Sequence, residues 1–174
     1  MSSGSIARLP SLPLPESALR CLQEVGREPI NLHRSLAHAP AMLAPLLDLI
    51  HAVRYDAAVP RALRELLICR IAQLEGSAYE LAHHLPMALA AGVHREQLDR
   101  LERWWEADCF DAVEQTVLGY AEHLGADADR DDEALAAHFG PAEQTELTVA
   151  GAAYVAVARI LRALDVEIDE YRTR

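Results

Sequence analysis

The chain has 174 residues, is about half apolar, and carries a formal net charge of −11 from 27 acidic and 16 basic side chains. All the basic residues are Arg, scattered along the chain, so it lacks the clustered positive surface that nucleic-acid binding requires. No apolar run approaches the ~20 residues needed to cross a bilayer, and the first fifteen residues lack a signal-peptide core, so the expectation is a cytoplasmic protein with no membrane partner.

Aromatic residues are few (two Trp, five Tyr, two Phe), leaving Ala and Leu to fill the core, and both favour helices over strands. Cys21, Cys69 and Cys109 are widely spaced, contain no C-x-x-C pair and suggest no disulfide framework.

The chain opens on a Pro-rich stretch, Leu9 to Pro15, behind a tip expected to be flexible. Glu16 to Val25 reads as a first short helix ending near Gly26. Residues 1–29 are therefore read as a leading segment and 30–174 as one helical domain. Asn31 is a plausible N-cap for a helical turn through Ala37, and Pro40 suits the first position of a longer helix reaching about Tyr55. Pro60 fits another helix start, with Leu63, Leu66, Leu67, Arg70, Ile71 and Leu74 at helical spacing. Gly76 is expected to break this helix and Ser77 to cap the next, which ends before Gly92.

A short helix follows from Val93 to about Trp104, then two amphipathic helices over Asp111–Leu124 and Asp131–Phe139. Pro141 to about Val166 forms the last long helix. Its small residues Gly151, Ala152 and Ala153 would let another helix approach closely. No strand-like alternation persists, so the fold class is all-α, with about seven or eight helices.

The most informative segment runs from Arg64 to His84. It resembles the core motif of the carboxymuconolactone decarboxylase superfamily, which includes alkylhydroperoxidase D. In redox-active members the motif is a glutamate, a C-x-x-C pair beginning twelve residues later, and a histidine four residues past the second cysteine. Glu65 and His84 match the glutamate and histidine, whereas Ser77 and Glu80 stand where the cysteines would be. Asn31 to Pro40 is similar to the family's entry helix, Met87 to Val93 to its exit from the motif helix, and Tyr154 to Val166 to its closing helix. The resemblance thus spans roughly residues 30 to 167. It implies an alkylhydroperoxidase D-like helical domain, assembly as a homo-oligomer (trimer or hexamer), and a small-molecule substrate.

A hydroxyl and a carboxylate cannot cycle through sulfenic acid and disulfide, so the thiol-peroxidase activity of redox-active members is not expected. Cys69 lies in an apolar helical stretch and reads as packing. The remaining groups suit proton transfer. Glu80 and His84, four apart, share one helix face, Ser77 sits a turn earlier, and Glu65 can reach that face if the two helices pack antiparallel. A carboxylate beside an imidazole makes a general acid/base.

The resemblance implies that the decarboxylating branch works without metal or organic cofactor, so none is expected here. The first reading is therefore an acid–base enzyme acting on a small carboxylic acid or lactone, with Glu65, Glu80, His84 and Ser77 in the catalytic group. The alternatives are an alkylhydroperoxidase-related antioxidant protein and a non-enzymatic ligand-binding or scaffold protein of the same fold.

Tyr79, His83 and Arg34 are candidate substrate contacts, and His83 competes with His84 for the inward direction because adjacent helix positions differ by about 100°. Arg34 and Arg70 can each receive a substrate carboxylate or pair with a helix-face glutamate. Glu65, Glu80 and His84 make a poor metal set for want of further nitrogen or sulfur ligands, and no metal site is assigned. Trp104 and Trp105 are expected to pack an interface or cover the pocket.

Overall fold

A computed structural model describes residues 9–24 and 28–170, and these contain nine α-helices and no strand. They correspond one for one to the segments read from the sequence, with the six-residue turn α2 and the seven-residue α8 included. In order they are α1 (Glu16–Glu24), α2 (Asn31–Leu36), α3 (Pro40–His51), α4 (Arg61–Leu74), α5 (Ala78–Ala90), α6 (Arg95–Arg100), α7 (Ala112–Ala126), α8 (Asp132–His138) and α9 (Pro141–Ala163). A π-helical turn, Ala52–Asp56, follows α3, and a 3₁₀ turn, Leu101–Glu106, follows α6. The expected flexible tip and the end of the first helix at Val25–Gly26 lie outside the described residues, as does the side chain of Cys21.

Helix α4 is the hub because it is enclosed on nearly every side, its charged Arg64, Glu65 and Arg70 included. Every residue from Arg64 to Ala72 is buried, the pattern of a helix enclosed all round rather than laid on a surface. Leu67, Ile68 and Ile71 pack with Val117 and Ala121 of α7 and Leu147 and Tyr154 of α9. On the opposite side Leu66 and Cys69 meet Ala88 of α5, Leu98 and Leu101. A third cluster joins α1 and α3 to the end of α9 through Ala18, Leu22, Leu43, Val157 and Leu161.

The small residues of α9 act as expected. A Cβ on Gly151 would collide with Leu124 of α7 and stand 3.1 Å from Ile71 Cδ1 of α4, so glycine sets how closely the three helices approach.

Two local breaks position the site. At Gly76 the backbone adopts φ +64°, a left-handed conformation open to glycine at little cost, which turns the chain back after α4. Ser77 then caps α5, its hydroxyl accepting from the Glu80 N–H at 3.3 Å. The second break is the π turn. Arg64 donates to the carbonyls of Val53 and Val59, and the Glu146 carboxylate accepts the Val59 N–H at 2.9 Å. These bonds from α4 and α9 hold a segment that no regular ladder would fix.

One capping expectation is corrected. The residue before α2 is Ile30, and Asn31 is its first helical residue. The Asn31 N–H is satisfied by Asp169 at 2.9 Å, from the far end of the chain. The last helix also ends at Ala163, with Asp165 at φ +49° just beyond it.

Candidate active site

The antiparallel return of α5 against α4 brings the three principal acid–base candidates together. His84 Nδ1 lies 2.8 Å from Glu65 Oε2, and His84 Nε2 lies 3.4 Å from Glu80 Oε2. All three side chains are buried, at 2–4 % exposure. Arg61, one turn before Glu65, approaches its other oxygen at 3.5 Å. Tyr154 of α9 packs edge-on against the His84 ring, 4.8 Å between centroids, and fixes its plane.

The two carboxyl groups are driven in opposite directions. Burial works against the charged form of Glu65, but the His84 hydrogen bond and charge outweigh it and hold Glu65 below the usual carboxylate range. Glu80 is governed by burial, which the His84 and Arg54 charges do not offset, so its pKa is raised. The ring thus bridges the two carboxyl groups, Nδ1 toward Glu65 and Nε2 toward Glu80, and of the two carboxyls Glu80 is the one that burial makes easier to protonate.

Both adjacent histidines line the same cavity, so the choice between them dissolves. His83 Nε2 lies 3.1 Å from Asp169 Oδ2, and its ring stacks on Tyr79 at 4.6 Å. The Tyr79 hydroxyl donates to Asp169 at 2.7 Å and accepts from the Leu32 N–H at 3.3 Å. Burial and then that bond to Asp169 raise the Tyr79 pKa, so it serves as a neutral donor.

The cavity is about 450 Å³, within the range of small-molecule sites. Leu32, Leu36, Leu46, Leu47, Ile50 and Val157 supply most of its wall, and Glu80, His83, His84, Tyr79 and Arg54, with Glu28 and His33, its polar part. Glu65 stands behind His84 rather than on the wall.

Other candidates are placed elsewhere. The Ser77 hydroxyl is spent on capping α5. Arg34 donates to the Pro29 carbonyl at 3.4 Å and is absent from the cavity wall. Arg70 pairs with Glu122 of α7 at 2.7 Å. Trp104 also donates to Glu122, at 3.1 Å, while Trp105 is 58 % exposed. Cys69 is fully buried, and its thiol pKa is pushed up by burial and by Glu65 and Glu80. Among the described residues no group of three or more His, Cys, Asp or Glu is arranged to hold a metal ion, and no helix is long and apolar enough to cross a membrane.

Two site residues escape sequence reasoning. Asp169 lies beyond the last helix, where no spacing signals a contact, and Arg54 is one of many scattered arginines until the π turn directs it.

The model of the carboxymuconolactone decarboxylase family matches residues 40–123. No curated protein matches the chain. Solved structures share the fold at low identity. An uncharacterized peroxidase-related protein with an alkylhydroperoxidase AhpD core, from Ralstonia eutropha JMP134, superposes with TM-score 0.81 at 17% identity, over 98% of this chain and 96% of its own. An uncharacterized peroxidase-related protein from Silicibacter sp. TM1040 gives 0.78 at 15%, over 99% and 97%. The debrominase Bmp8, in a cysteine-to-alanine form with 2,3,4-tribromopyrrole, gives 0.76 at 18%, over 99% and 96%.

Proposed function

We propose that this chain is a member of the carboxymuconolactone decarboxylase and alkylhydroperoxidase D-like superfamily, whose family model it matches over residues 40–123 and whose fold it shares, and that it is a cofactor-independent enzyme that transfers a proton at a small carboxylic acid or lactone. The observation that carries this reading is His84 held between two carboxyl groups of opposite tendency, one of them on the wall of an apolar cavity. Glu80 and His84 form the acid–base pair, and Glu65 fixes the ring and compensates its charge. Ser77 acts at one remove, by starting the helix that carries both groups. In a decarboxylation the electron pair released with carbon dioxide takes the proton that Glu80 holds, and His84 returns one from solvent. The same groups serve lactone or enol isomerisation, where Glu80 gives its proton to one substrate atom and recovers one from another.

The direct test incubates the protein in deuterium oxide with a panel of small carboxylic acids and lactones, read by proton NMR. Incorporation of deuterium at a carbon position, lost in Glu80→Gln, is the expected result. Panel-wide absence of exchange would remove the acid–base assignment.

Glu80 also gives a prediction for stability. Because its pKa is raised, the folded chain keeps this proton to a higher pH than the unfolded chain does. Its stabilising contribution is therefore present below the unfolded pKa and lost as pH rises through the folded one. Glu80→Gln removes that loss, so the variant's Tm should gain on the wild type as pH rises above the ordinary carboxylate range. A gap independent of pH would mean that Glu80 is ionised in the folded chain.

The peroxidase reading has support in the description of two structural neighbours as peroxidase-related. It would need a thiolate, and the buried Cys69 is poorly placed to form one. Cys69→Ser combined with Cys109→Ser should leave proton exchange unchanged; peroxide consumption that disappears in this double variant would instead favour the peroxidase. Homo-oligomeric assembly, also proposed from the family, is measured by light scattering.

A further inference from the structure

The acid–base groups leave one cavity residue unused. Arg54 is only 8 % exposed and lines the same cavity, yet its Nε has no hydrogen-bond partner. Its recorded contacts are a bond from Nη2 to the Met87 sulfur and the Tyr55 ring 5.8 Å from the guanidinium carbon. A thioether is a weak acceptor, and an aromatic face answers only part of a full charge. Among the described residues no carboxylate lies within ion-pair distance of Arg54. Glu80 and Glu65 feel its charge only at longer range.

A buried guanidinium without a counter-ion is costly, and protein interiors rarely tolerate one without purpose. The neighbouring carboxyl groups do not touch it. Glu65 is taken up by His84 and Arg61, and Glu80 faces His84 Nε2. The cavity therefore presents a guanidinium with an open Nε, on a planar fork whose geometry matches a carboxylate. The fork is held by a π-helical turn, an insertion often found at functional sites, which Arg64 pins at the Val53 carbonyl, while Arg64 and Glu146 hold Val59 just beyond it.

We propose that Arg54 is the anion receptor of this cavity and that its ligand is a monocarboxylate with an apolar body, bound by its carboxylate to the Arg54 guanidinium. The body lies along Leu46, Leu47 and Ile50, from the helix that leads into the π turn, with Met87 moving aside from the fork. A second consequence rests on the acid–base reading above. A carboxylate paired with Arg54 is stabilised as an anion in the ground state, which opposes its departure as carbon dioxide. The anchored carboxylate is then a handle, and chemistry occurs at another atom, presented to Glu80 and His84.

The test uses benzoate, phenylacetate and hexanoate, each matched with its primary amide, and phenyl phosphate as the competing anion class. Binding is read by calorimetry and by the shift in Tm. At least one carboxylate should bind the wild type, about tenfold or more tighter than its amide and than phenyl phosphate. Arg54→Met should lose that preference with its own Tm unchanged or raised, since it replaces an unpaired buried charge by an apolar chain of similar length. Arg54→Lys should keep part of the preference.

Equal binding of acid and amide, a preference surviving in Arg54→Met, tighter phosphate binding, or no carboxylate binding at all would each overturn the proposal. So would a marked fall in Tm for Arg54→Met, which would make the residue structural. His84→Gln separates the two readings, because it should abolish proton exchange and leave carboxylate affinity within a few-fold. Anion binding without exchange would leave Arg54 as the receptor and remove the acid–base reading; exchange without anion preference would do the reverse.

Discussion

Replacing His84 with Gln is expected to lower turnover of any substrate found by deuterium exchange about 10²- to 10⁴-fold, the usual contribution of a positioned acid–base group. Gln is the informative substitution because its amide can still donate to Glu65, which lies 2.8 Å from the ring in the native chain. Ala would leave two buried carboxyl groups facing a void, and lost activity would then be confounded with lost stability. The helical circular dichroism spectrum of His84→Gln should match that of the wild type. An affected KM with an unchanged kcat would place His84 in binding instead of proton transfer.

The second large effect concerns stability and falls at Asp169→Ala. One buried carboxylate accepts the first N–H of α2 and the Tyr79 hydroxyl, and stands 3.1 Å from His83 Nε2. It ties the segment after α9 to α2 and α5, which wall the cavity. Truncation strands these polar groups in a dry site, at a cost of about 2–5 kcal/mol, which for a chain of this size lowers Tm by about 10 °C. Asp169→Asn keeps the shape and one acceptor and should lose less. An unchanged Tm in Asp169→Ala would show that water replaces the carboxylate without loss. The effect should also be distinct from that of His84→Gln, since Asp169 approaches the other histidine.

How much of this was legible beforehand depends on whether the signal is local. Pro40, Pro60 and Pro141, the Gly76 turn and the Ser77 cap mark helix ends because each acts on its own backbone, and the structure places α3, α4, α5 and α9 accordingly. The meeting of Glu65 with His84 is legible for a similar reason: a three-residue break between two helices, with Gly76 at its centre, leaves little choice but antiparallel return. Asn31 misled because an Asn before an apolar run looks like a cap, whereas its N–H is satisfied by Asp169, 138 residues away. Nothing in the sequence sets Arg54 apart from Arg34 and Arg70, because helical periodicity assigns direction correctly only while the helix stays α. One π turn redirects the side chain into the cavity. The Glu65 and Glu80 difference is likewise a property of the folded surroundings, since the two residues are identical in sequence terms.

The central claim is that His84 is poised between an ionised Glu65 and a protonated Glu80. Nitrogen-15 NMR of histidine-labelled protein measures this most directly, with His84 assigned by its loss in His84→Gln. The account predicts that the neutral ring carries its proton on Nδ1, with Nε2 unprotonated, and that Glu65→Gln shifts the Nδ1 resonance far more than Glu80→Gln does. A neutral ring carrying its proton on Nε2 would contradict it.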